Sequence, residues 1–241
     1  MRILWLILTI FLVSTDLTKA QVGYGVEGGI GMATMKFAPL LRPVQYTSGN
    51  ATPIAGGKLG ALIDIPMNKH LSFQSGAYLS RKGAVRSFSY YKNDSFNESV
   101  NQTLYINYFD LPLTVLYKTG MQGKGRFIAG IGATLSYIIG GKNMLHDHQV
   151  YNDTLSDING TYKISIGNTI KGFDVGLHLT AGYELPTGLF FHAWYTAGST
   201  DIGVGTEIDK NRTWGVSAGY IFGKGRNINK EAEDLIDKET K

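Results

Sequence analysis

Two groups of histidines are the residues that could do chemistry. His146 and His148 flank Asp147, and two imidazoles around a carboxylate could hold a divalent cation. The spacing is generic and no further ligand cluster stands near it. A solvated loop is therefore expected here, and no metal. His178 with Thr180, and His192 with Thr196, each set a base near a hydroxyl, the minimum for nucleophilic catalysis. No motif surrounds either pair, so two histidines satisfied by polar neighbours are expected instead. The chain has no cysteine, which removes thiol nucleophiles, thiolate metal sites and disulfides together. No enzyme, no catalytic residue and no cofactor is expected.

A larger polar set accounts for those histidines. Glu27, Lys58, Asp64, Gln74, Lys82, Asp110, Arg126, Asp174, His178, Glu184 and His192 sit on the polar faces of segments that read as strands. Alternate side chains of a strand point to opposite faces, so such segments are oily on one side and polar on the other. In the segment 170–184, Phe173, Val175, Leu177, Leu179, Ala181 and Tyr183 oppose Asp174, Gly176, His178, Thr180, Gly182 and Glu184. The segment 125–140 repeats this, with Phe127, Ile131, Leu135, Tyr137 and Ile139 against Arg126, Gly130, Thr134 and Ser136.

Eight such segments fall near 22–33, 53–66, 71–86, 104–118, 125–140, 170–184, 188–199 and 211–223. Each reaches the ~9–11 residues of a tilted membrane strand. Their connections sort by length. Those at 67–70, 119–124 and 185–187 are short and carry turn residues, whereas 34–52, 87–103, 141–169 and 200–210 are long and polar. Strict alternation of short and long connections matches tight periplasmic turns and long external loops. A soluble sandwich or lipocalin-like barrel could alternate too, but its connections need not sort. The expected fold is thus all-β: an eight-stranded antiparallel up-and-down transmembrane β-barrel over residues 21–223.

With oily faces outward, the acids and bases point into the lumen. An eight-strand barrel is just wide enough for its own side chains to fill. Buried charges need partners, so Glu27, Lys58, Asp64, Asp110, Arg126, Asp174, His178, Glu184 and His192 are expected to form a packed polar network. The alternative is a narrow polar pore.

The ends and composition agree with export. Arg2 precedes an apolar run from Ile3 to Val13, and Thr18-Lys19-Ala20 ends in small residues, which predicts a signal peptide over 1–20 cleaved before Gln21. With 31 glycines, 14 tyrosines and 11 phenylalanines but no later apolar run of helical span length, the composition suits strands crossing a membrane. The net charge of +4 is mild and its basic residues are scattered, so no nucleic-acid partner is expected. Asn-x-Ser/Thr triplets at Asn50, Asn93, Asn97, Asn101, Asn152 and Asn159 fit polar external loops, where Phe88, Tyr90, Tyr91, Phe96 and Tyr151 could anchor a partner. Residues 224–241 form a charged periplasmic tail with Ile228, Ala232, Leu235 and Ile236 at helical spacing.

The sequence resembles the PorT-type outer-membrane β-barrel family of Bacteroidota. The resemblance is carried by Gly57-Lys58-Leu59-Gly60 with the Leu71 to Lys82-Gly83 arm, and by Tyr108-Phe109-Asp110-Leu111-Pro112-Leu113 with Tyr117-Lys118. Ala129-Gly130-Ile131-Gly132, Phe173-Asp174-Val175-Gly176 and Ala218-Gly219-Tyr220-Ile221-Phe222 complete it. It implies a barrel without catalytic residues; the name-giving member is tied to protein secretion across the outer membrane. The expected function is that of a non-enzymatic envelope protein acting through external loops or the tail. Its partners are outer-membrane lipid and other envelope or secretion proteins. A small-solute channel and an accessory role in outer-membrane secretion are the alternatives.

Overall fold

Period-two alternation becomes a closed ring of strands in the computed structural model, which describes residues 22–38, 46–93, 96–119, 125–151, 154–168, 170–203 and 208–222. The expected signal segment and the tail 224–241 lie outside the described residues. Ten strands follow in order: β1 (Gly23–Ala38), β2 (Tyr46–Thr52), β3 (Ile54–Pro66), β4 (Leu71–Asn93), β5 (Phe96–Lys118), β6 (Arg126–Tyr151), β7 (Thr154–Lys163), β8 (Phe173–Glu184), β9 (Leu189–Gly198) and β10 (Ile208–Phe222). No helix among the described residues is long and apolar enough to cross a membrane.

Eight of the strands close on themselves. The antiparallel order runs β4-β3-β1-β10-β9-β8-β6-β5, and β5 pairs with β4 to complete the ring. Closure leaves the ring without an edge, and each connection joins neighbours. Tight turns are encoded locally. In the 185–188 turn, Gly188 takes a φ of 92°, a left-handed conformation in which glycine is at ease, and its N–H donates to the Leu185 carbonyl. At 67–70, the Asn68 side chain accepts the amides of His70 and Leu71.

The long connections differ from expectation. Segments 87–103 and 141–169 read as polar loops, yet most of both continues the barrel strands. β4 and β5 stay paired from Leu71 and Tyr117 out to Asn93 and Phe96, and β6 follows β5 to Tyr151. β2 then adds beside the outer part of β4, and β7 beside the outer part of β6. A five-stranded sheet, β2-β4-β5-β6-β7, therefore rises from one side of the barrel. The sequence hides it because neither face of that sheet is uniformly oily, so the alternation that marks a membrane strand is missing.

The ring is inverted relative to a soluble barrel. Tyr24, Ile30, Leu59, Leu79, Phe127, Ile131 and Val216 are all exposed on the outside, Ile30 by 74%. Inside lie buried Glu27, Asp64, Lys82, Asp110, Arg126, Asp174 and Glu184. An apolar outer band of this extent on a lone soluble domain has no physical rationale; against lipid it is required. Aromatic residues end the band. Tyr24, Tyr117, Phe127, Tyr183, Tyr220 and Phe222 form a belt near the short turns, and Phe109, Tyr137, Phe173, Tyr195 and Trp214 form one near the long connections. Phe127 and Tyr137 are separated by roughly 33 Å of strand, which at a tilt near 40° gives ~25 Å of height, the thickness of such a band.

Leu177 pairs with Ala133 midway between the belts and faces outward. Leu177→Arg is expected to destabilise the barrel in lipid vesicles by about 2–4 kcal/mol, while Leu177→Phe is tolerated. Urea titration followed by gel migration of unheated samples measures it. An arginine as harmless as phenylalanine would place water, not lipid, on that face.

Candidate functional site

The lumen is filled by three polar clusters, with an apolar layer between the first two and another over the third. Nearest the short turns, Lys118 donates to Asp64 at 2.5 Å and to Glu184 at 3.5 Å, and Arg126 donates to Glu184 at 3.0 Å. These four side chains tie β3, β5, β6 and β8 together. All are buried, Asp64 completely. Above them Leu62, Tyr78, Phe190 and Ile221 pack as an apolar floor.

Glu27 organises the second cluster. Its carboxylate accepts from Tyr78 Oη at 2.6 Å and Ser217 Oγ at 2.5 Å, and pairs with Lys58 at 2.8 Å. His192 Nδ1 stands 3.7 Å away. One β1 carboxylate thus gathers β3, β4, β9 and β10. Lys58 also lies 5.1 Å from the Tyr78 ring centre and 5.3 Å from that of Trp194.

The third cluster joins the opposite wall. Lys82 donates to Asp110 at 2.9 Å and to Ser136 at 3.0 Å, and its ammonium lies 4.3 Å from the Tyr108 ring centre. Ser80 donates to the other Asp110 oxygen at 2.6 Å. Asn211 donates to both Tyr108 Oη and Asp174, each at 2.8 Å. A cavity of about 40 Å³, room for a few waters, lies among Lys58, Tyr78, Lys82, Asp110, His178 and Trp194.

Apolar side chains close the external mouth. Met35, Ala84, Ile106, Tyr108 and Ile138 of the strands meet Ile164, Ile170 and Ile202 of the connections. Backbone bonds from Lys171 to the Ile202 carbonyl at 2.7 Å, and from Ile202 to the Asp209 carbonyl at 3.0 Å, hold this lid. Asp201 clamps it from outside. Burial pushes its carboxyl up, but the amides of Asp209 and Gly203 and the Lys171 ammonium outweigh that and hold it below the ordinary carboxylate range.

Each of the nine expected network residues faces the lumen, and close hydrogen bonds and ion pairs gather most of them in groups. Asp64, Arg126 and Glu184 group at the short-turn end, Glu27, Lys58 and His192 in the middle, Asp110 and Asp174 above. The two histidines do not pair with each other. His178 Nδ1 shares a 2.9 Å hydrogen bond with Thr196 Oγ1, so the base–hydroxyl pairing is neither of the two the sequence suggests. In β8–β9 register His178 lies opposite Thr196, whereas His192 lies opposite Gly182. Lys118, Tyr78, Tyr108 and Asn211 were not in the expected set. Strand parity could have found Lys118, which shares a face with Asp110 and Thr114. Parity likewise puts Tyr108 on the face of Asp110 and Thr114, but it does not say that the hydroxyls of Tyr108 and Tyr78 join the polar groups. In the outer sheet, His146 Nδ1 meets Asn159 Oδ1 at 2.7 Å. Strand alternation puts Asp147 on the other face, and no metal-holding group of three occurs among the described residues.

Residues 18–203 match the family profile described as outer membrane protein beta-barrel domain. Among solved structures, Ail of Yersinia pestis, crystallised with the heparin analogue sucrose octasulfate, is 13% identical with a TM-score of 0.39, covering 84% of this chain and 99% of its own. OprG of Pseudomonas aeruginosa is 11% identical with a TM-score of 0.42, covering 86% and 98%. Neisserial surface protein A is 11% identical with a TM-score of 0.36, covering 84% and 99%. No curated protein matches the chain.

Removing Lys118 leaves Asp64 and Glu184 facing each other without their shared cation. Lys118→Met is expected to cost about 3–5 kcal/mol, with part of that recovered in the Lys118→Met/Asp64→Asn double variant. Denaturant titration of refolded barrels in vesicles reads the cycle. Additive losses would mean that the cluster is not coupled.

Proposed function

Because the chain belongs to the outer membrane protein beta-barrel domain family, whose place is the bacterial outer membrane, we propose that it is a non-conducting, non-enzymatic envelope protein acting through its external sheet. The observation that carries this reading is the continuation of β4, β5 and β6 beyond the outer aromatic belt, flanked by β2 and β7. From Phe109 to Phe96, β5 extends for roughly 43 Å of strand, most of it clear of the bilayer. Building so much ordered sheet above a barrel that is already closed serves no need of membrane insertion.

The ring has no edge, but the external sheet has two. Among the described residues β2 pairs with β4 alone and β7 with β6 alone, so each presents a row of backbone donors and acceptors. Such edges bind extended segments of other proteins by adding a strand. Short or polar edge sequences, YTSGNAT in β2 and TLSDINGTYK in β7, keep them soluble while unoccupied.

Two apolar layers across the lumen weigh against a solute channel, because water and ions would have to cross Leu62, Phe190 and Ile221 below and the isoleucine lid above. The same layers keep substrates from the His178–Thr196 pair. A secretion role rests on the resemblance to PorT-type barrels alone, and would be exercised through residues 224–241.

A photo-crosslinking amino acid at Thr52 on β2 or Ser156 on β7 tests the reading in intact cells, with lipid-facing Leu177 as control. Discrete protein adducts from the two edges and none from Leu177 are expected, together with no unit conductance in planar bilayers. Conductance steps without edge adducts would move the function into the lumen.

A further inference from the structure

Just above the outer aromatic belt, the outward positions turn basic. On β10 the outward residues beyond Trp214 are Arg212 and then Lys210. Across the strand boundary Lys210 lies directly opposite Lys36 of β1. A second opposed pair, Lys142 of β6 and Lys163 of β7, stands elsewhere on the wall, opposite Tyr105. Arg81 of β4 is exposed at a similar height and donates to neutral Asn107 at 3.2 Å.

Like charges directly opposite in a sheet repel. Here two lysine pairs are held in that relation, and no carboxylate among the described residues is within ion-pair distance of Lys36, Lys210, Arg212, Lys142 or Lys163. The lumen, by contrast, pairs nearly every charge it contains. Position is the second observation. Arg212 lies two residues beyond Trp214, Arg81 lies opposite Asn107, itself two beyond Phe109, and Lys210 and Lys142 lie four or five beyond Trp214 and Tyr137. That is ~7–16 Å of tilted strand, the depth of a headgroup layer above the apolar band.

We propose that these residues form a collar that binds phosphate groups of an anionic outer-leaflet lipid. One site is Lys36, Lys210 and Arg212, and a second is Lys142 with Lys163. A phosphate between two opposed ammonium groups turns their repulsion into two attractions, and the guanidinium of Arg212 can grip the same group through two parallel N–H donors. Long aliphatic stems let the heads reach outward while the methylenes cover the wall. Lys142, held 5.4 Å from the Tyr105 ring centre, is aimed by that ring. The inference rests on the membrane reading of the aromatic belts, and names the lipid chemistry they face.

The full-length protein in maltoside micelles, which contain no phosphate, separates the possibilities. Thermal unfolding is followed by gel migration with diphosphoryl lipid A, with the same lipid stripped of phosphate, and with inorganic phosphate. Wild type is expected to unfold at a higher temperature with diphosphoryl lipid A only. Lys36→Gln/Lys210→Gln, freed of repulsion, is expected to unfold later than wild type in micelles alone and to gain little from the lipid. Its affinity for that lipid, counted by native mass spectrometry, should fall about tenfold. Lys69→Gln, in a short turn, should behave as wild type. Equal stabilisation by the stripped lipid, or an unchanged response of the double variant, overturns the proposal. Stabilisation by inorganic phosphate alone overturns the assignment to lipid. The heat-modifiable band in the same samples keeps a failed lipid site distinct from a failed fold.

Discussion

A backbone amide or carbonyl left unpaired in hydrocarbon costs several kcal/mol, and the pairing of β5 with β4 is what spares this chain that cost. Once the ring must close, much else is fixed. Consecutive strands must be antiparallel neighbours, the connections must alternate between two ends, and the outer side chains must match lipid. The inversion of burial, with Ile30 and Phe127 outside and Glu27 and Asp64 inside, follows from closure in that solvent.

Closure also sets the interior. Eight strands leave a lumen that side chains must fill, and charged groups placed there lose their water. Three clusters answer this, each tying four or five strands through a few shared ions: Lys118 with two carboxylates, Glu27 with four neighbours, Lys82 with Asp110 and Ser136. An apolar floor lies between the lowest cluster and the other two, and an apolar lid covers the highest. The barrel is thus held by long-range polar contacts between strands distant in sequence, while its hydrophobic surface does its work against the bilayer.

What the sequence made legible follows from the same constraint. Where lipid lies outside and packed polar groups inside, alternation is sharp, and the bounds of β3, β8, β9 and β10 differ from expectation by only a few residues. Beyond the outer belt water touches both faces, the pattern fades, and β2, β7 and the outer halves of β4 to β6 read as loop. Parity assigned Glu27, Asp110 and Glu184 to the lumen, but could not say which side chains would meet. That depends on stagger between strands, so His178 finds Thr196 and Asp64 finds Lys118, 54 residues away. Tyr108 shares the polar face of Asp110 and Thr114 by parity, but that its hydroxyl would meet Asn211, and that of Tyr78 would meet Glu27, depends on the same stagger.

β8 separates lipid from a packed interior, residue by residue. Since the chain has no cysteine, single cysteines placed from Phe173 to Glu184 and labelled with nitroxides can report on it cleanly in vesicles. Collision rates with oxygen, which concentrates in lipid, and with a water-soluble nickel chelate would be measured at each position. High oxygen access is expected at odd positions, falling to low access for both reagents at even ones, with nickel excluded throughout the middle of the strand. Nickel access at the odd positions near Leu177 would contradict it, because that face would then be wet.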